Sequence, residues 1–121
     1  MLDFIAKFTD QEVKEMAEYI SNLSLCDAQA TVDRQPDADV NKGEKIFNAS
    51  CMNCHNKDTS GIGPVLHGQK SLYLETAIKS FQTDWYEPRP SRLNMKNHTD
   101  MLSDQDIKDV SAYLNVQKLC E

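Results

Sequence analysis

The chemistry in this sequence concentrates at Cys51-Met52-Asn53-Cys54-His55, a C-x-x-C-H motif. Three kinds of site use paired cysteines at this spacing. Two thiols one helical turn apart can add across the two vinyl groups of a heme, and the next residue then places an imidazole under the iron. A C-x-x-C pair can also cycle between dithiol and disulfide, as in thioredoxin-like proteins, but that chemistry needs a strand–helix–strand setting. A structural zinc site wants a second ligand pair at similar spacing. The remaining candidates, Cys26, Cys120, His67 and His98, do not form such a pair. The residues favour covalent heme attachment over the other two.

The elements that must position this motif are legible as helical periodicity. Val40, Gly43, Ile46 and Phe47 recur at helical spacing behind Asp39 as a cap, and predict a helix that runs into Cys51. A loop punctuated by Gly61, Gly63, Pro64 and Gly68 follows the motif. Leu74, Ala77, Ile78 and Phe81 predict a further helix. Pro88 and Pro90 then predict a break and an extended segment up to about Met95. Ser103 caps a last helix over 104–116, with Ile107, Val110, Ser111 and Leu114 on one face. Near the start, Val13, Met16, Ala17, Ile20 and Leu23 recur behind Thr9, and Glu12 completes a capping box, so a helix is expected over 10–23. Residues 27–38 are polar, carry Pro36 and have no period, which reads as a surface linker. No alternating pattern marks a strand, and the class is all-α.

Composition bounds the rest. A chain of 121 residues is enough for one compact domain. Lys plus Arg number 13 against 19 Asp plus Glu, for a net charge of -6, and the cations form no cluster. That excludes a nucleic-acid footprint, which depends on cations displacing phosphate counterions. It suits a partner with a basic docking surface. No apolar run approaches the roughly 20 residues that cross a bilayer. The residues from Met1 to Lys7 lack the basic start and apolar core of a secretion signal. No stable membrane insertion is expected. Four cysteines are too few to hold a fold of this length, so a packed core or a cofactor must do so.

An internal repeat refines the organisation. A shift of 94 residues lays Met1 to Asp27 on Met95 to Glu121 without a gap. Phe8 falls on Leu102, Asp10 on Asp104, Gln11 on Gln105, Lys14 on Lys108, Tyr19 on Tyr113, Leu25 on Leu119 and Cys26 on Cys120. Amphipathic capped helices resemble one another, but shared propensity does not place a matching Met, Tyr and Cys. The expected organisation is an N-terminal helical segment over 1–26 like the tail of a preceding domain, a linker over 27–38 and a heme domain over 39–121.

Over residues 40–116 the chain resembles the class I cytochromes c. The resemblance rests on Gly43 and Phe47 before the heme motif, on the loop Gly61-Ile62-Gly63-Pro64-Val65-Leu66-His67-Gly68 after it, and on Tyr113 in the last helix. Gly68-Gln69 followed by Tyr73-Leu74, together with the repeat, is most similar to one heme domain of a two-domain diheme cytochrome c. This resemblance implies a class I fold, with helices around one heme c bound covalently through Cys51 and Cys54. It implies His55 as one axial ligand, with the Pro64 carbonyl accepting its free ring N–H. It implies Met95, a few residues before Leu102-Ser103-Asp104, as the other, with Met101 and His98 as rivals in the same loop. The apolar heme wall would be Ile46, Phe47, Leu66, Leu74 and Ile78, and Gly43, Phe47 and Tyr113 would meet where the first and last helices cross. The chain departs from the diheme pattern in having one C-x-x-C-H and a longer stretch between Thr83 and Arg92. There Trp85, Arg89 and Arg92 are candidate donors to heme propionates, with Tyr86 beside them.

The expected function is that of a periplasmic monoheme c-type cytochrome that shuttles single electrons between redox partners through a His/Met-ligated heme c. It would not be an enzyme by itself. The rival readings are a heme enzyme or gas sensor with an open sixth position, and an electron-entry domain of a larger oxidoreductase. Heme attachment of this kind belongs to an oxidising compartment, where Cys26 and Cys120, at equivalent places in the repeat, could form an intrachain disulfide. An intermolecular link and two free thiols are the alternatives, and a homodimer is open to the chain.

Overall fold

A computed structural model describes residues 2–24, 26, 32–33, 35–58, 62–83, 90–118 and 120. Among the described residues the regular elements are all helical: α1 (Leu2–Ile5), α2 (Asp10–Asn22), α3 (Val40–Ser50), α4 (Ser71–Gln82), α5 (Pro90–Thr99) and α6 (Asp104–Val116). The fold is the all-α one that the periodicity predicts.

Local signals account for the helix boundaries. Thr9 and Ser103 each accept a hydrogen bond from the backbone three residues on, while Glu12 and Asp106 reach back to the cap N–H, completing two capping boxes. Asp39 caps α3 by accepting from the Lys42 N–H. α4 begins at Ser71, earlier than its apolar stripe. The extended segment expected up to Met95 is instead helix α5, which opens on Pro90. Proline at the first helical position loses no hydrogen bond, since that N–H has no intrahelical partner, and its fixed φ suits the helix.

The core sits where α3, α4 and α6 meet. Phe47, Leu74, Val110 and Leu114 form its buried cluster, with Ile46, Cys51, Leu66, Ile78 and Tyr113 packed against it. Full burial of each large apolar side chain contributes about 1.5–3 kcal/mol. α3 and α6 cross at Gly43, where a Cβ would stand 2.6 Å from the Asp109 carbonyl carbon and 2.9 Å from the Tyr113 Cβ. Phe47 and Tyr113 rings lie 5.7 Å apart beside the crossing. Gly43, Phe47 and Tyr113 thus come together as the resemblance implies. The crossing is reinforced electrostatically, because Lys42 Nζ on α3 lies 2.7 Å from an Asp106 carboxylate oxygen and 3.5 Å from one of Asp109 on α6. Asp109 is buried but well partnered: it also accepts from the Asp39 N–H at 2.9 Å and from Gln105 at 2.8 Å.

The described part of the 27–38 stretch lies on the surface and is hydrogen-bonded to the helices beneath it. Asp33 accepts from the Ser71 N–H at 3.1 Å and the Ser71 hydroxyl at 2.5 Å, and its own N–H donates to Asn115 Oδ1 at 2.8 Å. Buried Asn115 also donates to the Gln69 carbonyl at 2.9 Å. The strap therefore ties the start of α4 to the end of α6. Cys26 and Cys120 are joined by a disulfide with a Cα separation of 5.4 Å.

Candidate heme-binding site

The motif occupies a tight turn at the end of α3. Cys51 is the C-cap residue, its N–H donating to the Phe47 carbonyl at 2.9 Å. Cys54 and His55 N–H groups both return to the Cys51 carbonyl, at 3.1 and 3.0 Å. Both thiols are free and half-buried. Burial, with Cys54 adding to it, pushes the Cys51 thiol up to about 11. That is the opposite of the lowered pKa a thioredoxin-like nucleophile requires. Among the described residues no group of His, Cys, Asp and Glu is arranged to hold a free metal ion.

His55 is buried, and its Nδ1 lies 2.7 Å from the Pro64 carbonyl oxygen. The carbonyl can only accept, so Nδ1 carries the proton and Nε2 keeps its lone pair for a metal. Gly63 packs the loop close against the ring. The Gly63 N–H donates to the Cys54 carbonyl at 2.8 Å, drawing the loop against the motif. A Cβ on Gly63 would stand 2.6 Å from His55 Nδ1. Farther along the loop, Gly68 takes a φ of 75°, which favours glycine, and donates to the Leu114 carbonyl at 2.8 Å. His67 is buried edge-on against Phe47 with ring centroids 5.1 Å apart. Burial, aided by Lys57, lowers its pKa and favours the neutral ring.

The far-side candidates lie on and after α5. Met95 is half-buried in the middle of the helix, while His98 in its last turn and Met101 beyond it are exposed. α4 holds this helix by its last residue. Gln82 Nε2 donates to the carbonyls of Thr99 at 2.7 Å and Leu102 at 3.0 Å, and the Gln82 carbonyl accepts from Lys96 Nζ at 3.1 Å. The heme-wall candidates Ile46, Phe47, Leu66, Leu74 and Ile78 all belong to the core cluster beside the motif. Trp85, Tyr86 and Arg89 lie outside the described residues, as does the side chain of Arg92.

The donor set fits a heme c: two free thiols on one turn, an imidazole with Nε2 available, and a glycine cradle shaped to that ring. The cytochrome c family profile matches residues 40–118. The chain belongs to the cytochrome c family. Members of this family carry covalently attached heme c and transfer electrons, and here Cys51 and Cys54 supply the thiols. The chain is 35% identical over 72 residues to cytochrome c-554(548) of Halomonas halodenitrificans, a match covering 57% of this chain and 86% of that protein. It is 27% identical over 77 residues to cytochrome c6 of Pyropia tenera, covering 64% of this chain and 91% of the relative. A third match, 26% identical over 125 residues, is to a nicotinate dehydrogenase component of Pseudomonas putida; it covers 91% of this chain but 10% of that much longer protein. No described helix of this cytochrome is long and apolar enough to cross a membrane.

Four positioning residues have roles that the sequence does not announce. Gly63 stands in the loop motif, but nothing local shows that it abuts the His55 ring. Gln82 ends the α4 stripe and reads as an ordinary surface polar residue. Lys42 and Asp109 pair across 67 positions of sequence, and only the run of acidic residues at the start of α6 hints at a cationic partner.

Proposed function

We propose that this cytochrome carries single electrons between exported redox proteins, in a compartment such as the bacterial periplasm, with His55 and Met95 as the axial ligands of its heme. Heme c, when bound, supplies a one-electron iron couple whose potential is set by its axial ligands and surroundings. The observation that carries the reading is the His55–Pro64 hydrogen bond: it commits the imidazole to one tautomer, orients the ring and raises its strength as a donor. The half-buried position of Met95, against the exposed His98 and Met101, supports the thioether as the second donor. Phe47, Leu66, Leu74 and Ile78 exclude water from the side of the site they line. The net charge of -6 favours a basic docking surface on the partner, approached by electrostatic steering.

A site closed on both faces has no coordination position for small ligands. The ferric protein should therefore resist millimolar cyanide, and the ferrous protein carbon monoxide, over minutes. Rapid formation of either complex would transfer the assignment to a heme enzyme or gas sensor with an open sixth position. The long dehydrogenase relative favours a second reading, in which the same site is the electron-entry domain of a larger oxidoreductase.

A further inference from the structure

The loop that carries the hydrogen-bond partner of His55 is held at both ends. At the near end the Gly63 N–H donates to the Cys54 carbonyl, and the Pro64 carbonyl accepts from His55 Nδ1. At the far end α6 grips it twice. The Gly68 N–H donates to the Leu114 carbonyl at 2.8 Å, and the Gln69 carbonyl accepts from Asn115 Nδ2 at 2.9 Å. Between these clamps Leu66 packs against the core, so a shift of Gln69 is passed along a short, braced span to the carbonyl that orients the imidazole.

The grip at Gln69 is itself held from outside the heme domain. Asn115 is wholly buried in the last turn of α6, and a buried amide is tolerated where both its oxygen and its NH2 are used. Nδ2 goes to the loop, and Oδ1 accepts from the Asp33 N–H at 2.8 Å. Asp33 has a second task. Lys70, the N-cap residue of α4, makes no side-chain capping bond, and the Asp33 carboxylate supplies the acceptor from 38 positions away. It takes the Ser71 N–H at 3.1 Å and the Ser71 hydroxyl at 2.5 Å, and that hydroxyl also accepts from Gln35 Nε2 at 2.9 Å. A negative charge at this place opposes the positive end of the helix that brings Leu74 and Ile78 to the core. Asp33 and Gln35 precede the stretch 40–118 that the family profile matches, so this support is an addition to the family's domain.

We infer that Asn115 and Asp33 are positioning residues for His55. Asn115 fixes Gln69, and through the loop the Pro64 carbonyl, against the imidazole; Asp33 holds Asn115 and the start of α4 in register. The inference rests on His55 as an axial ligand. With the Pro64 bond intact the imidazole is the stronger donor, which favours ferric iron, so releasing Gln69 should raise the reduction potential. Simple loosening of the fold acts in the opposite direction, because water reaching the heme stabilises the added charge of ferric iron and lowers the potential.

The test uses the intact, heme-loaded chain and reads two quantities: the reduction potential, and the solvent exchange of the His55 Nδ1 proton, followed by NMR in the reduced protein. Asn115→Ala should raise the potential and speed the exchange about tenfold. Asp33→Ala, at a half-buried surface position, should change both in the same direction by less, and it answers the question where Asn115→Ala fails to fold. Asp33→Asn keeps an acceptor for Ser71 and should restore both to near the wild-type values. Asp106→Asn weakens the α3–α6 crossing without touching the strap or the loop, and should move neither. Wild-type values in both alanine variants, a lowered potential, or an equal change in Asp106→Asn overturns the proposal. If the wild-type His55 Nδ1 proton lacks the ring-current shift of a heme, the axial role of His55 fails first and the proposal with it. That failure is visible before any substitution is made, and so is distinct from failure of the positioning role.

Discussion

Gly63 lies so close to the His55 imidazole that a Cβ added to it would stand 2.6 Å from Nδ1. The glycine and the Pro64 carbonyl together hold the ring from one side, so the orientation of the His55 imidazole depends on the absence of a side chain. Replacing a loop glycine by alanine ordinarily stabilises a fold by about 0.4–1 kcal/mol through the unfolded chain. Here the methyl group must displace the ring or the loop, at a cost of about 1–3 kcal/mol, and the second effect wins. Gly63→Ala should lower both the yield of heme-loaded protein and its denaturant midpoint, and should shift its reduction potential. A variant with the wild-type potential and midpoint would show that the ring is held by other means.

The α3–α6 crossing makes a parallel demand in the core. Gly43→Ala gains about 0.8–1 kcal/mol of helix propensity. The new Cβ would stand 2.6 Å from the backbone carbonyl carbon of Asp109, which belongs to a buried helix and cannot swing away as a side-chain tip could. A net loss of about 1–3 kcal/mol is expected. Chemical denaturation of the oxidised protein measures it, and an unchanged or higher midpoint would mean that the helices part at little cost.

The same crossing has an acid limit. Lys42, with the Ser103 cap, draws the Asp106 pKa down from 3.8 to about 2. A carboxylate whose pKa is lower in the folded state contributes stability that is fully present above its unfolded value and is lost as pH falls through the folded one. The window is therefore between about pH 4 and pH 2. Denaturant midpoints of the wild type and of Asp106→Asn should differ at pH 6, and the gap should narrow steadily from about pH 4 to pH 2. A gap as wide at pH 2 as at pH 6 would assign the effect to packing rather than charge.

α5 is held at its end through Gln82, which bonds the Thr99 and Leu102 carbonyls. Gln82→Ala should leave the global midpoint little changed while loosening the helix that carries Met95. A local loss of about 1.4 kcal/mol makes the released form about tenfold more populated. Cyanide should then bind the ferric variant about tenfold faster than the wild type. An unaltered cyanide rate would show that Gln82 does not position Met95.

Signals carried by neighbouring residues are legible in the sequence, and signals carried across the fold are not. Ser103 with Asp106, and Thr9 with Glu12, mark helix starts because both partners lie within one turn. The C-x-x-C-H spacing marks the turn for the same reason, whereas Pro64, nine residues from His55, is named as its partner through the family resemblance. α5 is hidden because Pro88 and Pro90 look like breakers, whereas Pro90 opens a helix that has little amphipathic character. The Asp33 strap is hidden because a polar, aperiodic stretch reads as a loop, and its partners Ser71 and Asn115 lie 38 and 82 residues away. The role of Gly63 depends on where His55 ends up, which no local pattern reports.

The central claim is that His55 and Met95 close the two faces of the heme, and the optical spectrum of the oxidised and reduced protein tests it before and after Met95→Ala. The account predicts a low-spin spectrum with the weak far-red band of a sulfur-ligated ferric heme, and loss of that band in the variant. A high-spin or bis-nitrogen spectrum that the Met95 substitution leaves unchanged would contradict it.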